Sequence, residues 1–461
     1  MSKRLFGTSG IRGSIADKVT VDLALGLGRA LGTFLGGNGT VGVGADARTS
    51  REMLRGVFVS GMLSTGVNVV DLGIAPMPTV AYHSSLADVS ASVIVTASHN
   101  PPGDNGFKFF VSGREFIRSE EVFLEDRVAD KQFLAASWDS VGWIRKSEIQ
   151  EAYLKEVREF ALKRGEESDG MKVLVDAANG AATDYTPQLL RDLGFSVISI
   201  NSHQNGHFPG RLPEPSPRNL ADTMKIAADS DFSVTLCHDG DGDRLAVIDE
   251  KGQFIDQNRV IALFARDEVQ RNGGGTVLVS IDTSSVIDEV VKAEGGEVVR
   301  APLGSLQELF ASKKDRSIVF ASEPWKPIFT ELGDWMDGIT GAALVSQMVD
   351  STGSGSCVKL MKTVPEYPML RDFISCPDDV KPMFLTLVKD ILIPQLTGIE
   401  KIIEEDGIRV ERADGSYVLV RVSGTEPKAR VYVGAKTKPT LNKLAKTAMD
   451  SMKRAIDEAQ K

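Results

Sequence analysis

The chain of 461 residues has little cysteine and no long apolar run. Its three cysteines are Cys237, Cys357 and Cys376, and none belongs to a C-x-x-C pair. Neither a disulfide framework nor a structural zinc site is therefore expected. No stretch of about 18 apolar residues occurs, and no apolar run follows the first basic residues, so neither a membrane span nor a signal peptide is predicted. These features favour a reduced, cytoplasmic protein.

Signatures of nucleic-acid and nucleotide binding are also missing. The formal net charge is −10, which argues against nucleic acid or an anionic membrane as the main partner. No Walker-type G-x-x-x-x-G-K-[ST], kinase motif set or G-x-S-x-G occurs, so neither a nucleotide donor nor a serine hydrolase is indicated. A chain that is 42% hydrophobic and 25% charged is instead typical of a globular protein.

The spacing of apolar residues predicts α/β units followed by a different C-terminal end. Strand-like runs at 41–44, 172–176 and 276–280 each belong to a segment in which strands alternate with helical periodicity. Near the end, 417–422 and 429–433 alternate like an antiparallel pair before an amphipathic helix. We predict three similar mixed-sheet α/β domains and a C-terminal α+β domain. The predicted boundaries are 1–150, 151–253, 254–366 and 367–461.

The first candidate site is the loop Thr96-Ala-Ser98-His99-Asn-Pro-Pro-Gly103, directly after a strand-like run. Ligands of α/β folds bind at the carboxyl ends of parallel strands, where this loop is expected. An isolated Ser-His pair, however, is more often part of a solvated turn. Lys108 alternates with large apolar residues, and is either a surface residue of a strand or a partly buried acid/base group.

The second candidate is the run Asp239-Gly-Asp241-Gly-Asp243-Arg244. Three closely spaced carboxylates repel each other unless a cation holds them, and their hard oxygens favour Mg²⁺ or Ca²⁺ over zinc. An EF-hand is the competing interpretation, with Glu250 at the twelfth position. Arg244 opposes it, because the sixth position of that loop needs glycine, and so do the strand-like flanks.

Two further loops are compatible with a phosphate and a sugar. Arg421, Ser423, Gly424, Thr425 and Arg430 combine a free backbone, hydroxyls and guanidinium groups, which suits phosphate, with a hairpin turn as the alternative. The other loop consists of Glu323-Pro-Trp325-Lys326-Pro. It offers a carboxylate, an indole and an ammonium to a polyol; by itself it is more readily an ordinary turn.

Together, the loops indicate phosphoryl transfer without a nucleotide, and they resemble the α-D-phosphohexomutases over essentially the whole chain. Residues 96–103 resemble the phosphoserine loop of that family, 239–244 its magnesium loop, and 421–427 its phosphate-binding loop. Residues 6–13, Phe-Gly-Thr-Ser-Gly-Ile-Arg-Gly, are similar to the N-terminal motif of its phosphoglucosamine and phosphomannose mutase branches.

The resemblance implies four domains around a central cleft and a phosphorylated serine. The implied Mg²⁺ ligands are Ser98, Asp239, Asp241 and Asp243. The implied catalytic residues are Ser98, Arg12, His99 and Lys108, with Lys108 as acid or base. The candidates for binding the substrate are Arg244, Glu323, Trp325, Lys326, Arg421, Ser423, Gly424, Thr425 and Arg430. A bisphosphorylated sugar is the implied intermediate and activator.

The sugar loop departs from the family pattern, which usually reads G-E-x-S-G-H. Glu323 matches, but the serine, glycine and histidine are replaced by residues 324–327. We expect a mutase that interconverts the 1- and 6-phosphates of glucosamine, mannose or glucose, with Lys326 as a substitute polar contact. A pentose phosphate mutase is the alternative, and a sugar phosphatase or a non-catalytic sugar-phosphate sensor are alternatives of other classes. A monomer or homodimer is expected.

Overall fold

The computed structural model describes residues 4–312, 317–424 and 426–460. The described residues fall into two compact units that interleave along the sequence. The first unit takes in residues 1–257, 307–316 and 325–363, and the second takes in 258–306, 317–324 and 364–461. Neither unit is a continuous piece of chain, because each draws on the region between 258 and 363.

The N-terminal part of the first unit is an α/β domain. Its sheet has the order β1-β5-β4-β2-β3-β7, in which β4, β2, β3 and β7 are parallel and β5 and β1 are antiparallel additions. The elements are β1 (Ile11–Ser14), α1 (Val21–Phe34), β2 (Thr40–Ala45), α2 (Arg51–Leu63), β3 (Asn68–Ile74), α3 (Met77–Ser84), β4 (Ala91–Val95), β5 (Asp104–Val111), β6 (Arg114–Glu115), α4 (Arg118–Asp130) and β7 (Ile144–Lys146).

The next segment forms a second α/β layer with the sheet order β11-β10-β8-β9. Strands β8, β9 and β10 are parallel, whereas β10 and β11 form an antiparallel pair. The elements are α5 (Ile149–Leu162), β8 (Lys172–Asp176), α6 (Thr186–Asp192), β9 (Ser196–Ile200), α7 (Ala221–Ala228), β10 (Val234–His238) and β11 (Leu245–Asp249).

The third segment contributes to both units. Its strands β12, β13 and β14 form a parallel sheet in the second unit, with β12 between the other two. The elements are α8 (Gln257–Asn272), β12 (Gly275–Ser280), α9 (Val286–Ala293), β13 (Gly296–Ala301), α10 (Leu306–Ser312), β14 (Ile318–Glu323), β15 (Lys326–Ile328), α11 (Gly338–Asp350) and α12 (Cys357–Met361).

The C-terminal segment is an α+β domain of the second unit. Its antiparallel sheet has the order β16-β20-β19-β18-β17, and two helices pack on it around a common apolar core. The elements are β16 (Met369–Ser375), α13 (Lys381–Leu392), β17 (Ile399–Ile403), β18 (Ile408–Arg412), β19 (Tyr417–Val422), β20 (Lys428–Gly434) and α14 (Lys438–Ala459).

The predicted fold class, three mixed-sheet α/β domains and a C-terminal α+β domain, is confirmed. Helix α1 is capped at its N-terminus, since the Thr20 hydroxyl accepts a hydrogen bond from the Leu23 N–H at 3.2 Å. Strands β10 and β11 flank 239–244, so this loop is not an EF-hand. Within the described parts of the chain, no helix combines the length and the hydropathy needed to span a bilayer.

His83 is a buried titratable group outside the candidate site. It lies at the C-terminal end of α3, and its Nδ1 is 2.9 Å from the Ser92 hydroxyl of β4. A Cβ at Gly42 would come within 2.3 Å of this nitrogen, so the packing leaves no room for a side chain there. Burial, and secondarily Arg145, lower the pKa of His83 from 6.5 to about 4.

The free energy of unfolding is therefore predicted to fall as the pH drops from 6.5 towards 4. Protons bind the unfolded His83 first, so its contribution is fully present above pH 6.5 and is lost at a slope of about 1 kcal/mol per pH unit. His83→Gln should flatten the pH dependence measured by urea denaturation between pH 7 and 5. His207→Gln, at an exposed loop position, should not. Equal slopes in the wild type and His83→Gln would contradict this account.

Candidate active site

Ser98 lies three residues beyond the end of β4 and is completely buried. Its hydroxyl donates a 2.7 Å hydrogen bond to Asp239 Oδ2, and its N–H donates to the Thr96 hydroxyl at 2.8 Å. The φ angle of Ser98 is +51°, in the left-handed region that residues other than glycine seldom occupy. Such strain persists only where the surroundings impose it, and it is common at functional sites.

Arg48, which follows β2, imposes this loop shape. Its side chain is fully buried, and its two terminal nitrogens donate only to backbone carbonyls of the serine loop. The acceptors are Ser98 O at 2.9 Å, Asn100 O at 2.7 Å, Pro101 O at 2.6 Å and Asp104 O at 2.8 Å. A single guanidinium group thus binds four backbone carbonyl oxygens of this loop.

Asp46 neutralises this arginine and connects it to the serine loop. Its Oδ2 is 3.0 Å from Arg48 Nε and accepts the Thr96 hydroxyl at 2.7 Å. The oxygen of the Thr96 hydroxyl in turn accepts the Ser98 N–H. The sequence analysis missed both Asp46 and Arg48. The available signal was a pair of charged residues directly after a buried strand, Ala45-Asp-Ala-Arg48.

Asp239, Asp241 and Asp243 converge, and all three are fully buried. One ligand oxygen from each lies within 4.8 Å of the others. Oδ1 of Asp241 and Oδ1 of Asp243 have no hydrogen-bond partner among the described residues. Buried carboxylate oxygens without partners are costly unless a cation takes them, so this group could hold a hard metal ion.

Glycine at position 240 permits the close approach of the aspartate loop to the serine loop. A Cβ at Gly240 would lie 2.6 Å from the Ser98 carbonyl oxygen, which no side chain tolerates. Arg211 binds the backbone directly before the aspartate loop. Its Nη2 donates to the His238 carbonyl at 2.6 Å, and its Nε is 2.8 Å from Asp176 Oδ2.

Two lysines neutralise the aspartates. Lys108, fully buried on β5, has its Nζ 2.8 Å from Asp241 Oδ2 and 2.7 Å from Asp243 Oδ2. Lys326, on β15, has its Nζ 3.5 Å from the same oxygen of Asp243. The interpretation of Lys108 as a surface strand residue is therefore wrong, since its side chain is buried among charges.

These contacts separate the pKa values of the aspartates. Burial, together with the charges of Asp241 and Asp243, raises the pKa of Asp239 well above its usual range. Burial also favours the neutral form of Asp243, but Lys108, Lys326 and Arg244 outweigh it and hold its pKa well below the usual range. Burial opposes the charge of Lys108, yet Asp241 and Asp243 raise its pKa above the ordinary value.

His99, Arg244 and Arg12 complete the cluster around Ser98. His99 Nδ1 is 3.4 Å from Ser98 Oγ, and its Nε2 is 3.4 Å from Arg244 Nη2. Burial and then the charges of Arg244, Arg12 and Lys326 lower the pKa of His99 well below 6.5, so the ring is neutral. Two buried guanidinium nitrogens of Arg12, Nε and Nη2, have no partner within the described chain. They are available to an anionic ligand.

The predicted sugar loop is divided between the two units. Trp325 has a φ of +67°, and its ring lies 5.5 Å from the Arg244 guanidinium carbon in the first unit. In the second unit, Glu323 ends β14 and accepts the Gly304 N–H at 2.7 Å. The first unit thus joins Arg12, Ser98, His99, Lys108, Asp239, Asp241, Asp243, Arg244, Trp325 and Lys326 in one cluster.

The predicted phosphate loop connects β19 and β20 in the second unit. Arg421 Nη2 is 2.9 Å from Asp406 Oδ2, and the Ser423 hydroxyl accepts the Glu426 N–H at 3.2 Å. Arg430 pairs with Glu426 at 2.5 Å. Gly424 is exposed, and Thr425 lies outside the described residues.

Lys381, which the sequence analysis also missed, binds two backbone carbonyls of this loop. Its Nζ donates to the carbonyls of Ser423 at 2.5 Å and Glu426 at 2.7 Å. Lys381 thereby ties both sides of the loop between β19 and β20 to the start of α13. Lys381 opens α13, more than 40 residues before the loop, and no local pattern marks it.

Comparison with known families matches most of the chain. Four family models of phosphoglucomutase/phosphomannomutase match. They are α/β/α domain I over residues 3–135, α/β/α domain II over 151–252, α/β/α domain III over 256–367 and the C-terminal domain over 383–451. The chain belongs to the phosphoglucomutase/phosphomannomutase family, and so to the α-D-phosphohexomutase superfamily.

Individual relatives agree with this assignment. The chain is 41% identical to a phosphopentomutase of Thermococcus kodakarensis over 461 residues, covering 99% of this chain and 100% of the relative. It is 38% identical to a probable phosphoglucosamine mutase of Methanopyrus kandleri, covering 99% of both chains. A crystal structure of a phosphoglucomutase/phosphomannomutase family protein from Burkholderia thailandensis matches with a TM-score of 0.86 at 25% identity, covering 100% of this chain and 98% of that one. The protein is therefore a phosphosugar mutase, an isomerase of the phosphotransferase type.

Arg48→Met is predicted to disorder the serine loop. The change leaves Asp46 buried without its cation and removes the guanidinium donor from four carbonyls, which should cost about 3–5 kcal/mol in the free energy of unfolding. Hydrogen exchange of the amides in 98–104 should accelerate before the rest of the domain is affected. Arg271→Met, which removes a partly exposed pair with Asp267, should change stability by less than about 0.5 kcal/mol. Unchanged exchange in 98–104 would show that Arg48 does not hold the loop.

Proposed function

We propose that the protein transfers a phosphoryl group within a sugar phosphate through phosphorylated Ser98. The observation that carries the proposal is the 2.7 Å hydrogen bond between Ser98 Oγ and Asp239 in a buried cluster of three aspartates. A serine used only for packing needs no such neighbours. Mg²⁺ suits the oxygen ligands of Ser98, Asp239, Asp241 and Asp243, and when bound it supplies charge neutralisation for the moving group.

The transfer proceeds in two balanced steps. The oxygen of a free sugar hydroxyl forms a bond to the phosphorus of phospho-Ser98 while the bond from phosphorus to Oγ breaks. The electron pair of the broken bond stays on Oγ, and the proton lost by the sugar hydroxyl replaces phosphorus there. The product is a bisphosphorylated sugar and free Ser98. In the second step, the same exchange in reverse returns the other phosphate of the sugar to Ser98.

The remaining residues of the cluster fit separate tasks. Arg12 offers two unpaired guanidinium nitrogens to the phosphoryl oxygens. Lys108, whose ammonium lies between Asp241 and Asp243, relays the proton: it gives one to Oγ and receives the one lost by the sugar hydroxyl. Neutral His99 lies between Ser98 and Arg244 and orients the serine hydroxyl.

The loop of Arg421, Ser423, Gly424, Thr425 and Arg430 is proposed to hold the phosphate that does not react. In the described residues its arginines are paired with carboxylates, Arg421 with Asp406 and Arg430 with Glu426. Glu426 and Arg430 are partly exposed, with 38% and 41% of their side-chain surface accessible. An incoming phosphate, with more charge and more acceptor oxygens than a carboxylate, can replace Glu426 on Arg430.

A pentose phosphate is the substrate we propose, with transfer between its 1- and 5-positions. The altered sugar loop supports this choice, because Lys326 is directed to Asp243 and leaves few polar groups for ring hydroxyls. The identity of 41% to a named phosphopentomutase agrees with it. A hexose or hexosamine phosphate, expected from the sequence, is the second candidate, favoured by the phosphoglucosamine mutase names of other relatives. The three free, buried cysteines fit a cytoplasmic location.

Phosphorus NMR of the enzyme with Mg²⁺ and a trace of bisphosphorylated sugar should identify the substrate. Ribose, glucosamine, mannose and glucose 1-phosphates are tested separately. We expect ribose 1-phosphate to be converted to ribose 5-phosphate fastest, without release of inorganic phosphate. Faster conversion of a hexose or hexosamine phosphate would replace the pentose assignment. Accumulation of inorganic phosphate would instead indicate a phosphatase.

Ser98→Ala should abolish turnover of every sugar, with a loss of at least about 10⁴-fold, because the phosphoryl carrier is removed. Chelation of metal by EDTA should also stop turnover, and added Mg²⁺ should restore it. Intact-mass measurement should show one phosphate in the wild type and none in the variant. Full turnover by Ser98→Ala would exclude the phosphoserine mechanism and favour direct transfer.

A further inference from the structure

The backbone on both sides of Lys326 is fixed to the first unit. The Trp325 carbonyl accepts the N–H of Leu245, the residue that opens β11, at 2.9 Å. The Pro327 carbonyl accepts the Asp337 N–H at 2.7 Å. Lys326 lies between these two anchors with only 4% of its surface exposed. Its side chain is therefore held in place, and does not sample solvent like an ordinary loop lysine.

The ammonium of Lys326 is aimed at the aspartate cluster. Its Nζ is 3.5 Å from Asp243 Oδ2, the oxygen that Lys108 Nζ also contacts at 2.7 Å. A lysine that recognised only sugar hydroxyls would not need to lie against the aspartate cluster.

The charges of the cluster assign a role to this ammonium. The negative charges of three carboxylates face the ammonium groups of Lys108 and Lys326. A third cation, Arg244, has its Nε 4.0 Å from Asp239 Oδ2. A divalent cation on the aspartates would compete with Lys326 for Asp243, while a phosphoryl group on Ser98 would add about two negative charges. The contact of Lys326 with Asp243 is longer than that of Lys108, so a cation on Asp243 would displace the contact with Lys326 more readily.

We propose that Lys326 is a phosphoryl-binding residue of the transfer site, which neutralises Asp243 while the metal is absent and binds non-bridging oxygens of the phosphoryl group on Ser98 once the metal is bound. This inference rests on the proposed function. It replaces the expectation that Lys326 substitutes for a sugar contact, and it gives the departure from the family pattern an electrostatic purpose. Lys326 then stabilises transfer for any sugar, while sugar choice depends on other groups.

The first test measures metal binding without turnover. Mn²⁺ is titrated into the dephosphorylated enzyme and followed by electron paramagnetic resonance, with dephosphorylation checked by intact mass. Lys326→Met removes a cation that competes for Asp243, so it should tighten Mn²⁺ binding by about tenfold. Lys326→Arg should stay near the wild type. Lys155→Met is the matched control, since Lys155 is 76% exposed on α5, and should have no effect. Unchanged or weaker binding in Lys326→Met would contradict the proposal.

The second test measures transfer from phosphorylated enzyme in a single turnover. Enzyme phosphorylated by glucose 1,6-bisphosphate is mixed with each sugar phosphate of the panel. Lys326→Met should slow transfer about 100-fold for every sugar that reacts, and Lys326→Arg should recover most of the rate. If Lys326→Met changed only the KM for one sugar and left the rate of transfer to all sugars unchanged, Lys326 would be a sugar contact and the proposal would be overturned.

The two tests separate failure of this inference from failure of the proposed function. If the wild-type enzyme neither carries phosphate on Ser98 nor isomerises any sugar phosphate, the proposed function is wrong. The Mn²⁺ titration still decides whether Lys326 competes with a metal for Asp243. If the wild type turns over normally and both variants match it in rate and metal affinity, only the role of Lys326 is rejected.

Discussion

The burial of three carboxylates within one short loop is the constraint on which the site depends. Asp239, Asp241 and Asp243 are fully shielded from water, with ligand oxygens within 4.8 Å of one another. Such a group cannot stay ionised without nearby cations. Lys108 and Lys326 supply two of them from distant strands. The cluster thereby joins parts of the chain that are more than 200 residues apart in sequence, 108 to 326.

Cationic side chains that bind carbonyls shape the functional loops. Arg48 holds four carbonyls of the serine loop, Arg211 holds the carbonyl before Asp239, and Lys381 holds two carbonyls of the phosphate loop. Some of these carbonyls also accept a hydrogen bond within their own loop, as those of Pro101 and Glu426 do. Each cation fixes the course of a loop by binding its carbonyls.

The altered sugar loop contributes a lysine to the charged cluster of the first unit. In the family pattern, the residues after the glutamate offer a hydroxyl and an imidazole, whereas this chain has Pro324 to Pro327. Trp325 adopts a left-handed conformation, and the next side chain, Lys326, is directed to Asp243. This loop thus adds a positive charge to the buried aspartate cluster.

The sequence by itself determined the fold class, the nucleophile loop and the acidic loop, because each depends on local chemistry. Strand periodicity, the Thr20 cap and the Asp-Gly-Asp-Gly-Asp run are visible within short windows. Only the tertiary structure decided that Lys108 is buried and that Lys326 contacts Asp243. It also revealed Asp46, Arg48, Arg211 and Lys381, whose partners lie far away in sequence. Charge pairing in a buried site depends on distances in space, and local sequence patterns carry no information about those distances.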